Sequence, residues 1–157
     1  MKSDHFAAIK EWLDSRSIPY REVRHAPTAT SEESAKARGE DISVGGKALL
    51  LKVDDTFRLF VLSAALRVDA GRVRRHFGAR KLRFATPEEL RELTGLVPGA
   101  VPPFGEPITP FELYVDPSVA RNDRIAFNAG SLTDSLILSS RDYLEAAAPE
   151  VFEFSKD

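Results

Sequence analysis

GGKALLLKVDDTFRLFVLS, residues 45–63, is the stretch of sequence that decides the fold. The apolar run at 47–53 predicts a buried strand, the aspartates at 54–55 predict a turn, and residues 57–63 predict the returning strand. The stretch therefore predicts an antiparallel hairpin, which begins directly after the glycine pair at 45–46.

Helical and strand patterns are mixed on both sides of this hairpin. The spacing of Phe6, Ile9 and Leu13 predicts an amphipathic helix that starts at an Asp4 cap and ends near residue 16. Thr86 followed by Pro87 predicts another helix start. Further helices are expected at 31–39, 69–77 and 139–148, and further strands at 20–24, 82–84, 111–115, 125–127 and 135–138. Because strands and helices do not alternate strictly, a Rossmann-type fold is disfavoured, and we expect one α+β domain over residues 1–157 with a mixed, mainly antiparallel sheet.

Composition excludes several classes of function. The chain has no cysteine, which rules out a thiol nucleophile, a disulfide framework and any cysteine-ligated metal site, and fits a cytoplasmic protein. The sequence carries no recognisable signal peptide and no apolar run long enough to span a membrane, so no membrane partner is expected. A net charge of −2 argues against bulk binding of nucleic acid, so a nucleic-acid partner would have to meet a local basic patch.

The usual catalytic signatures do not occur in the sequence. No two of the three histidines (His5, His25 and His76) have the spacing of metal ligands, which argues against a zinc hydrolase. There is no G-x-S-x-G elbow, no phosphate-binding P-loop and no dinucleotide fingerprint. We therefore expect neither a metal nor an organic cofactor.

Lys47 is unusual because it follows two glycines at the mouth of a very apolar strand. A lysine entering a low-dielectric strand is costly unless an anion or a water-lined cleft faces it. The alternative is that its ammonium reaches solvent at the edge of the strand.

The segment 95–105 contains three glycines and three prolines, which give a stiff, pre-shaped backbone. Exposed amides in such a loop can bind a carbonyl or carboxylate oxygen. The alternative is a surface crossover that is rigid for stability only.

A basic stretch runs from residue 72 to residue 83 without an intervening acid. It could meet a phosphate backbone, or it could be an ordinary solvated face.

Taken together, these features resemble the YbaK/prolyl-tRNA-synthetase-associated domain family of editing enzymes, also called INS, over residues 20–144. The matching segments are HAP at 25–27 followed by Thr30 and Glu33, GKALLL at 46–51, RVD at 67–69, FATPEEL at 84–90, TG at 94–95, PGAVPPFG at 98–105 and FNAGS at 127–131. The order and spacing of these segments are more specific than any one of them.

The resemblance implies a compact α+β fold with a barrel-like sheet and surrounding helices, and metal-independent hydrolysis of amino acids wrongly attached to tRNA. It implies the acceptor end of tRNA as a partner and suggests an aminoacyl-tRNA synthetase as another. It places the strand lysine, Lys47, and the 95–105 loop in the substrate pocket. Beyond the resemblance, we expect catalytic roles for Lys47, for the loop amides at Gly99 and Ala100, and for Asn128, which could place the attacking water. Substrate contacts are expected from His25, Thr30, Gly46, Gly95, Pro98, Val101, Pro103, Phe104, Gly105, Gly130 and Ser131, and tRNA contacts from Arg72, Arg74, Arg75, Arg80 and Lys81.

The sequence departs from the alanine-removing branch of the family at two positions. That branch commonly has asparagine where this chain has Ala48, and often histidine where it has Asn128. We expect a deacylase acting in trans on tRNA that carries a small amino acid, with tRNA-Pro as the acceptor, and the departures leave the amino acid open. The alternatives are a non-catalytic module that binds tRNA or a synthetase, and a hydrolase of some other aminoacyl ester.

Overall fold

The computed structural model describes residues 5–28 and 30–157, so the expected Asp4 cap lies outside the described residues. The α-helices are α1 (His5–Ser15), α2 (Ser31–Arg38), α3 (Ala70–Phe77), α4 (Pro87–Thr94) and α5 (Ser140–Ala147). The strands are β1 (Arg21–Arg24), β2 (Gly46–Val53), β3 (Thr56–Ser63), β4 (Arg67–Val68), β5 (Leu82–Phe84), β6 (Leu113–Val115), β7 (Arg124–Asn128), β8 (Asp134–Ser139), β9 (Glu150–Val151) and β10 (Ser155–Lys156). A short 3-10 helix, Ile42–Val44, precedes β2.

The strands form three sheets. The predicted hairpin, β2 and β3, occupies the centre of a five-stranded sheet of order β5-β2-β3-β6-β9, in which β6 and β9 run parallel to their neighbours. An antiparallel sheet of order β1-β8-β7 lies beside it, joined through an isolated parallel bridge between Gly45 and Ala126, and β10 pairs with β4. The α+β class and the mixed, mainly antiparallel pairing are confirmed; the sheet is not closed, so "barrel-like" describes it only loosely.

The hairpin is buried on both faces, which explains why its sequence is a continuous apolar run. Alternate residues of β2 and β3 point to opposite faces of the sheet. One face packs into the larger core, with Leu50, Leu59 and Val61 from the hairpin and Ile125, Phe127, Leu136 and Leu138 from β7 and β8. The other face packs into a second core, with Leu51, Val53, Phe60 and Leu62 against Val73 and Phe154.

Capping interactions fix where α2 and α4 begin. Thr86 caps α4 in a reciprocal arrangement with Glu89, as the sequence predicts. Thr30 caps α2 in the same way with Glu33, so this helix starts at Ser31 as expected. Gly39 then ends α2 in a left-handed conformation, with φ of 72°. None of the helices within the described ranges is long and apolar enough to cross a membrane.

Candidate active site

A cavity of about 220 Å³ lies between α2, the start of β2 and the loop that follows α4. This volume is below the roughly 300–1,000 Å³ typical of sites for drug-sized ligands, so the cavity suits a small group. Its walls are formed by Thr30, Ser31, Ser34, Arg38, Gly45, Gly46, Lys47, Ala48, Leu49, Ala64, Gly99, Val101 and Asn128.

Lys47 lies in the cavity wall at the start of β2. Its side chain is half-buried, and within residues 5–28 and 30–157 its ammonium has neither an ion-pair nor a hydrogen-bond partner. Partial burial lowers the pKa of this ammonium from its ordinary value; the nearby Glu32 opposes the shift and Arg67 adds to it. Lys47 is therefore a cation in the wall of a small cavity, and its ammonium donors are not used by other described residues.

The loop after α4 forms another part of the cavity wall. Gly99 and Val101 line it, and their N–H groups donate to no acceptor in the described part of the chain. Gly99 adopts φ of 89°, a backbone conformation that favours glycine. Ala100, in contrast, is buried outside the lining, and its N–H donates to the Val97 carbonyl at 3.1 Å. The available donors are therefore those of Gly99 and Val101.

Asn128 joins the loop to a buried arginine. Its Nδ2 donates to the Gly99 carbonyl at 2.9 Å and to Thr28 Oγ1 at 3.4 Å. Its Oδ1 accepts from an Arg38 terminal nitrogen and from Ser135 Oγ, each at 3.1 Å. All four hydrogen-bonding positions of the amide are thus used within the protein.

Arg38 is 8% exposed and lies in the cavity wall. Its Nε donates to Ser135 Oγ at 2.9 Å, and one terminal nitrogen lies 3.5 Å from the Ala126 carbonyl. No carboxylate in the described ranges forms an ion pair with it. Burial lowers the pKa of its guanidinium to about 10, an effect that Glu40 opposes.

His25 lies one hydrogen bond behind this network and does not line the cavity. One ring nitrogen is 2.8 Å from Ser135 Oγ, and the other is 2.8 Å from the Ala26 carbonyl. His25 therefore contacts the network that supports the cavity.

Three hydroxyl side chains line the cavity, and only one of them is uncommitted within the described residues. Thr30 Oγ1 is engaged by Glu33 in the cap of α2, and Ser34 Oγ pairs with Thr28 Oγ1 at 2.8 Å. Ser31 Oγ has no hydrogen-bond partner there. The Ser31 hydroxyl is therefore the one best placed to bind a ligand.

Of the residues expected at the site, the structure brings six to the cavity wall: Thr30, Gly46, Lys47, Gly99, Val101 and Asn128. Phe104 packs in the core against Trp12, Phe127 and Tyr143, and the Pro103 carbonyl accepts from Tyr143. Gly105 lies against the Phe111 carbonyl, Gly130 against His5, and Ser131 bonds Thr133 and Asp134. Gly95 ends α4, and Pro98 does not line the cavity.

Sequence reasoning assigned no individual contact at the cavity wall to Arg38, Ser31 or Ser34. All three lie on α2, whose eight residues look like an ordinary polar helix with a basic last turn. The capping motif at Thr30 predicts where the helix begins but not which side of the helix faces the cavity. No feature of residues 31–38 alone indicates that Arg38 is buried.

The basic stretch lies on α3, on β5 and on the loop between them, and that loop is at the far end of β2 from Lys47. The loop is fixed by Asp54, whose Oδ1 accepts from the amides of Arg80 and Lys81 at 3.0 and 2.9 Å. Six residue steps along β2 separate Lys47 from Val53, a distance of about 20 Å. Arg72 pairs with Asp69 and Glu153, whereas the exposed side chains of Arg74, Arg75, Arg80 and Lys81 form no ion pair within the described ranges. Over those same residues, no group of three or more histidine, aspartate or glutamate side chains could hold a metal ion.

Comparison with known proteins gives consistent matches. The family model described as the aminoacyl-tRNA editing domain matches residues 25–146. The chain is 37% identical over 150 residues to the multifunctional Ser/Thr-tRNA deacylase ProXp-y of Escherichia coli strain K12, covering 92% of this chain and 89% of that protein. It is 35% identical over 124 residues to the proline–tRNA ligase of Shouchella clausii strain KSM-K16, covering 78% of this chain and 22% of that enzyme. A crystal structure described as a candidate trans-editing enzyme for prolyl tRNA synthetase is similar over 100% of both chains, with a TM-score of 0.84 and 28% identity.

Proposed function

The chain belongs to the aminoacyl-tRNA editing domain family, and on that basis we propose that it hydrolyses the ester bond between a small amino acid and a mischarged tRNA. One observation carries the proposal: Lys47, Gly99 and Val101 line the same small cavity, and within the described residues the lysine ammonium and the two peptide N–H groups have no partner. Positive charge and N–H donors are what an ester carbonyl needs as its oxygen becomes negative.

The reaction requires positioning more than a strong nucleophile, because an aminoacyl ester is already activated. Water adds to the carbonyl carbon, and the amides of Gly99 and Val101 stabilise the oxyanion that forms. Lys47 adds positive charge, either beside the ester or against the terminal phosphate of the tRNA. The bond from the carbonyl carbon to the ribose oxygen then breaks, and that oxygen takes the proton released by the water. The products are the free amino acid and the uncharged tRNA.

The cavity favours a small side chain that carries a hydroxyl. Its volume of about 220 Å³ has to hold the ester as well as the side chain, which favours small amino acids. Selection has to work by excluding larger side chains, because one extra methylene gives only about 1–3 kcal/mol of attractive discrimination. The uncommitted hydroxyl of Ser31 can bond a hydroxylated substrate. The 37% identical relative is named a Ser/Thr-tRNA deacylase, so serine and threonine are the first substrates we propose.

The tRNA and the protein partner are proposed from the relatives and from the basic stretch. A proline–tRNA ligase carries a segment similar to this chain, so tRNA-Pro is the acceptor and a prolyl-tRNA synthetase the partner that we propose. Arg74 and Arg75 of α3 would meet backbone phosphates together with Arg80 and Lys81, which lie about 20 Å from Lys47 along β2. We propose that the protein acts in the cytoplasm as one domain over residues 1–157.

A deacylation panel tests this function. Wild-type protein is incubated with tRNA-Pro and other tRNAs charged with serine, threonine, alanine or their correct amino acids, and release of each amino acid is timed. We expect seryl or threonyl esters to be hydrolysed and esters of larger amino acids to survive. If the protein binds these tRNAs but releases no amino acid, the non-catalytic module is correct instead; hydrolysis of only tRNA-free aminoacyl esters would favour an unrelated esterase.

A further inference from the structure

Arg38 is a buried cation whose position the ester chemistry does not explain. It lies at the cavity wall, yet its side chain donates to protein atoms: Ser135 Oγ, the Ala126 carbonyl and Asn128 Oδ1. Burying a charge without an ion-pair partner is expensive, so a retained arginine of this kind calls for a reason beyond stability.

The contact with Arg38 determines how the Asn128 amide is oriented. A guanidinium has donors and no acceptor, so the amide must turn its oxygen toward Arg38. Ser135 Oγ donates to the same oxygen at 3.1 Å. The amide nitrogen is thereby left facing the opposite side, where it donates to the Gly99 carbonyl at 2.9 Å.

The Gly99 carbonyl depends on this bond. No backbone N–H in the described ranges donates to it, so Asn128 Nδ2 is its donor there. Holding that carbonyl against Asn128 helps to fix the Gly99–Ala100 peptide plane, whose N–H donates to the Val97 carbonyl. The Gly99 N–H lies in the peptide plane before this one and the Val101 N–H in the plane after it, so the position of this plane limits where both cavity-lining residues place their amides. Gly99 itself adopts φ of 89°, a conformation that favours glycine.

We propose that Arg38 is a positioning residue, which sets the Asn128 amide so that Asn128 holds the Gly99 carbonyl and aims the Gly99–Val101 amides into the cavity. This inference rests on the proposed function, because those amides are assigned there to the oxyanion. Asn128 likewise acts through the loop: with all four hydrogen-bonding positions used, it has none left for water or substrate.

Asn128→Asp is the sharpest test because it separates activity from stability. The variant side chain has the same shape and forms an ion pair with Arg38, which favours the folded state. It removes the donor to Gly99 and sets a carboxylate oxygen against that carbonyl. We expect kcat for the best substrate of the panel to fall by about 100-fold with KM little changed, since one misplaced oxyanion donor costs about that much. The melting temperature should not fall.

Arg38→Met tests the arginine itself, with Arg91→Met as the matched control. Arg91 also stands in the last turn of an eight-residue helix with a capping box, but it is exposed and remote from the cavity lining. We expect Arg38→Met to lower kcat at least about tenfold, and Arg91→Met to leave it unchanged. Because Arg38 and Asn128 act as one unit, Arg38→Met should add little in the Asn128→Asp background.

Hydrogen–deuterium exchange gives a readout that does not depend on turnover. Exchange in peptides spanning residues 96–101 should be faster in both site variants than in wild type or Arg91→Met. Wild-type kcat in Asn128→Asp, or unchanged loop exchange in both site variants, would overturn the positioning role while leaving the deacylase function intact. A wild-type protein that deacylates no tRNA would instead overturn the proposed function, and the exchange experiment would still decide the role of Arg38 in holding the loop.

Discussion

Gly46 lies directly against Ile125, so that a Cβ atom on Gly46 would stand 2.4 Å from Ile125 Cδ1. Ile125 is buried in the larger core, on β7. The absence of a side chain at Gly46 lets the entrance of β2 approach the neighbouring sheet, where Gly45 bridges Ala126. Since Lys47 is the next residue, this close approach also fixes the position of the Lys47 backbone, from which its side chain extends.

We expect Gly46→Ala to lower the free energy of unfolding by about 1–3 kcal/mol, because the new methyl overpacks a filled core. Urea denaturation followed by circular dichroism measures the change. Ile125→Val removes the nearest clashing atom, so the double variant should be more stable than the sum of the two single changes predicts. Simple additivity of the two changes would show that the contact with Ile125 is not the cause.

Activity should decline at alkaline pH through the titration of Lys47. Burial lowers the pKa of this ammonium below its ordinary 10.5, and the cation is present only below the folded-state pKa. The rate of deacylation, corrected for spontaneous ester hydrolysis, should therefore fall at a pH below that of free lysine. Lys47→Ala should abolish deacylation while the protein stays folded.

Lys47→Arg serves as the control for the charge. A guanidinium stays protonated to a much higher pH, so any activity that the variant retains should lose its alkaline decline. Should a folded Lys47→Ala protein deacylate at the wild-type rate, or Lys47→Arg keep the same alkaline limb, Lys47 would have no part in the reaction.

The sequence predicted those parts of the structure that depend on nearby residues. The hairpin at 45–63 was predictable because each of its strands is a continuous apolar run, and α4 because Thr86 and Glu89 form a capping box within four residues. The two-residue strands β4, β9 and β10 were missed since a pair of residues carries no periodicity. The family resemblance, confirmed by comparison, came from segments spread along the chain.

The candidate site was predictable only in part, because some of its residues are placed by contacts with distant parts of the chain. Lys47 and the glycines of the 95–105 loop stand out in the sequence because each conflicts with its local context. Arg38 does not, since its burial arises from Asn128 and Ser135, which are about ninety residues or more away in the chain. The sequence also did not show that the Ser31 hydroxyl is available to a ligand, because this depends on which neighbouring hydroxyls already have hydrogen-bond partners.

Ser31 should contribute to the choice of amino acid. Its hydroxyl has no partner in the described part of the chain, and one neutral hydrogen bond is worth about 0.5–1.5 kcal/mol. We expect Ser31→Ala to lower kcat/KM for seryl-tRNA by roughly three- to tenfold and to leave alanyl-tRNA unaffected. Parallel time courses on the two substrates measure the ratio.

Ser34→Ala is the matched control for Ser31→Ala. Ser34 lines the same cavity, but its hydroxyl is committed to Thr28. Its removal should lower stability without changing the ratio of seryl to alanyl turnover. If Ser31→Ala lowers kcat/KM equally for both substrates, Ser31 supports the cavity wall and does not distinguish between the two amino acids.

The basic stretch should govern how tightly tRNA binds and not how fast the bound ester is cleaved. Arg74, Arg75 and Lys81 are exposed cations without ion pairs in the described ranges, and none of them lines the cavity. Replacing all three by alanine should weaken binding of tRNA. The plot of log affinity against log salt should flatten by about 0.7–0.9 for each phosphate that is no longer neutralised. At saturating tRNA, kcat should remain near wild type.

The control replaces three other exposed cations, Arg16, Arg91 and Arg141, so that the net charge matches. If both triple variants flatten the salt dependence equally, only overall charge matters; if neither does, tRNA approaches the cavity over another surface.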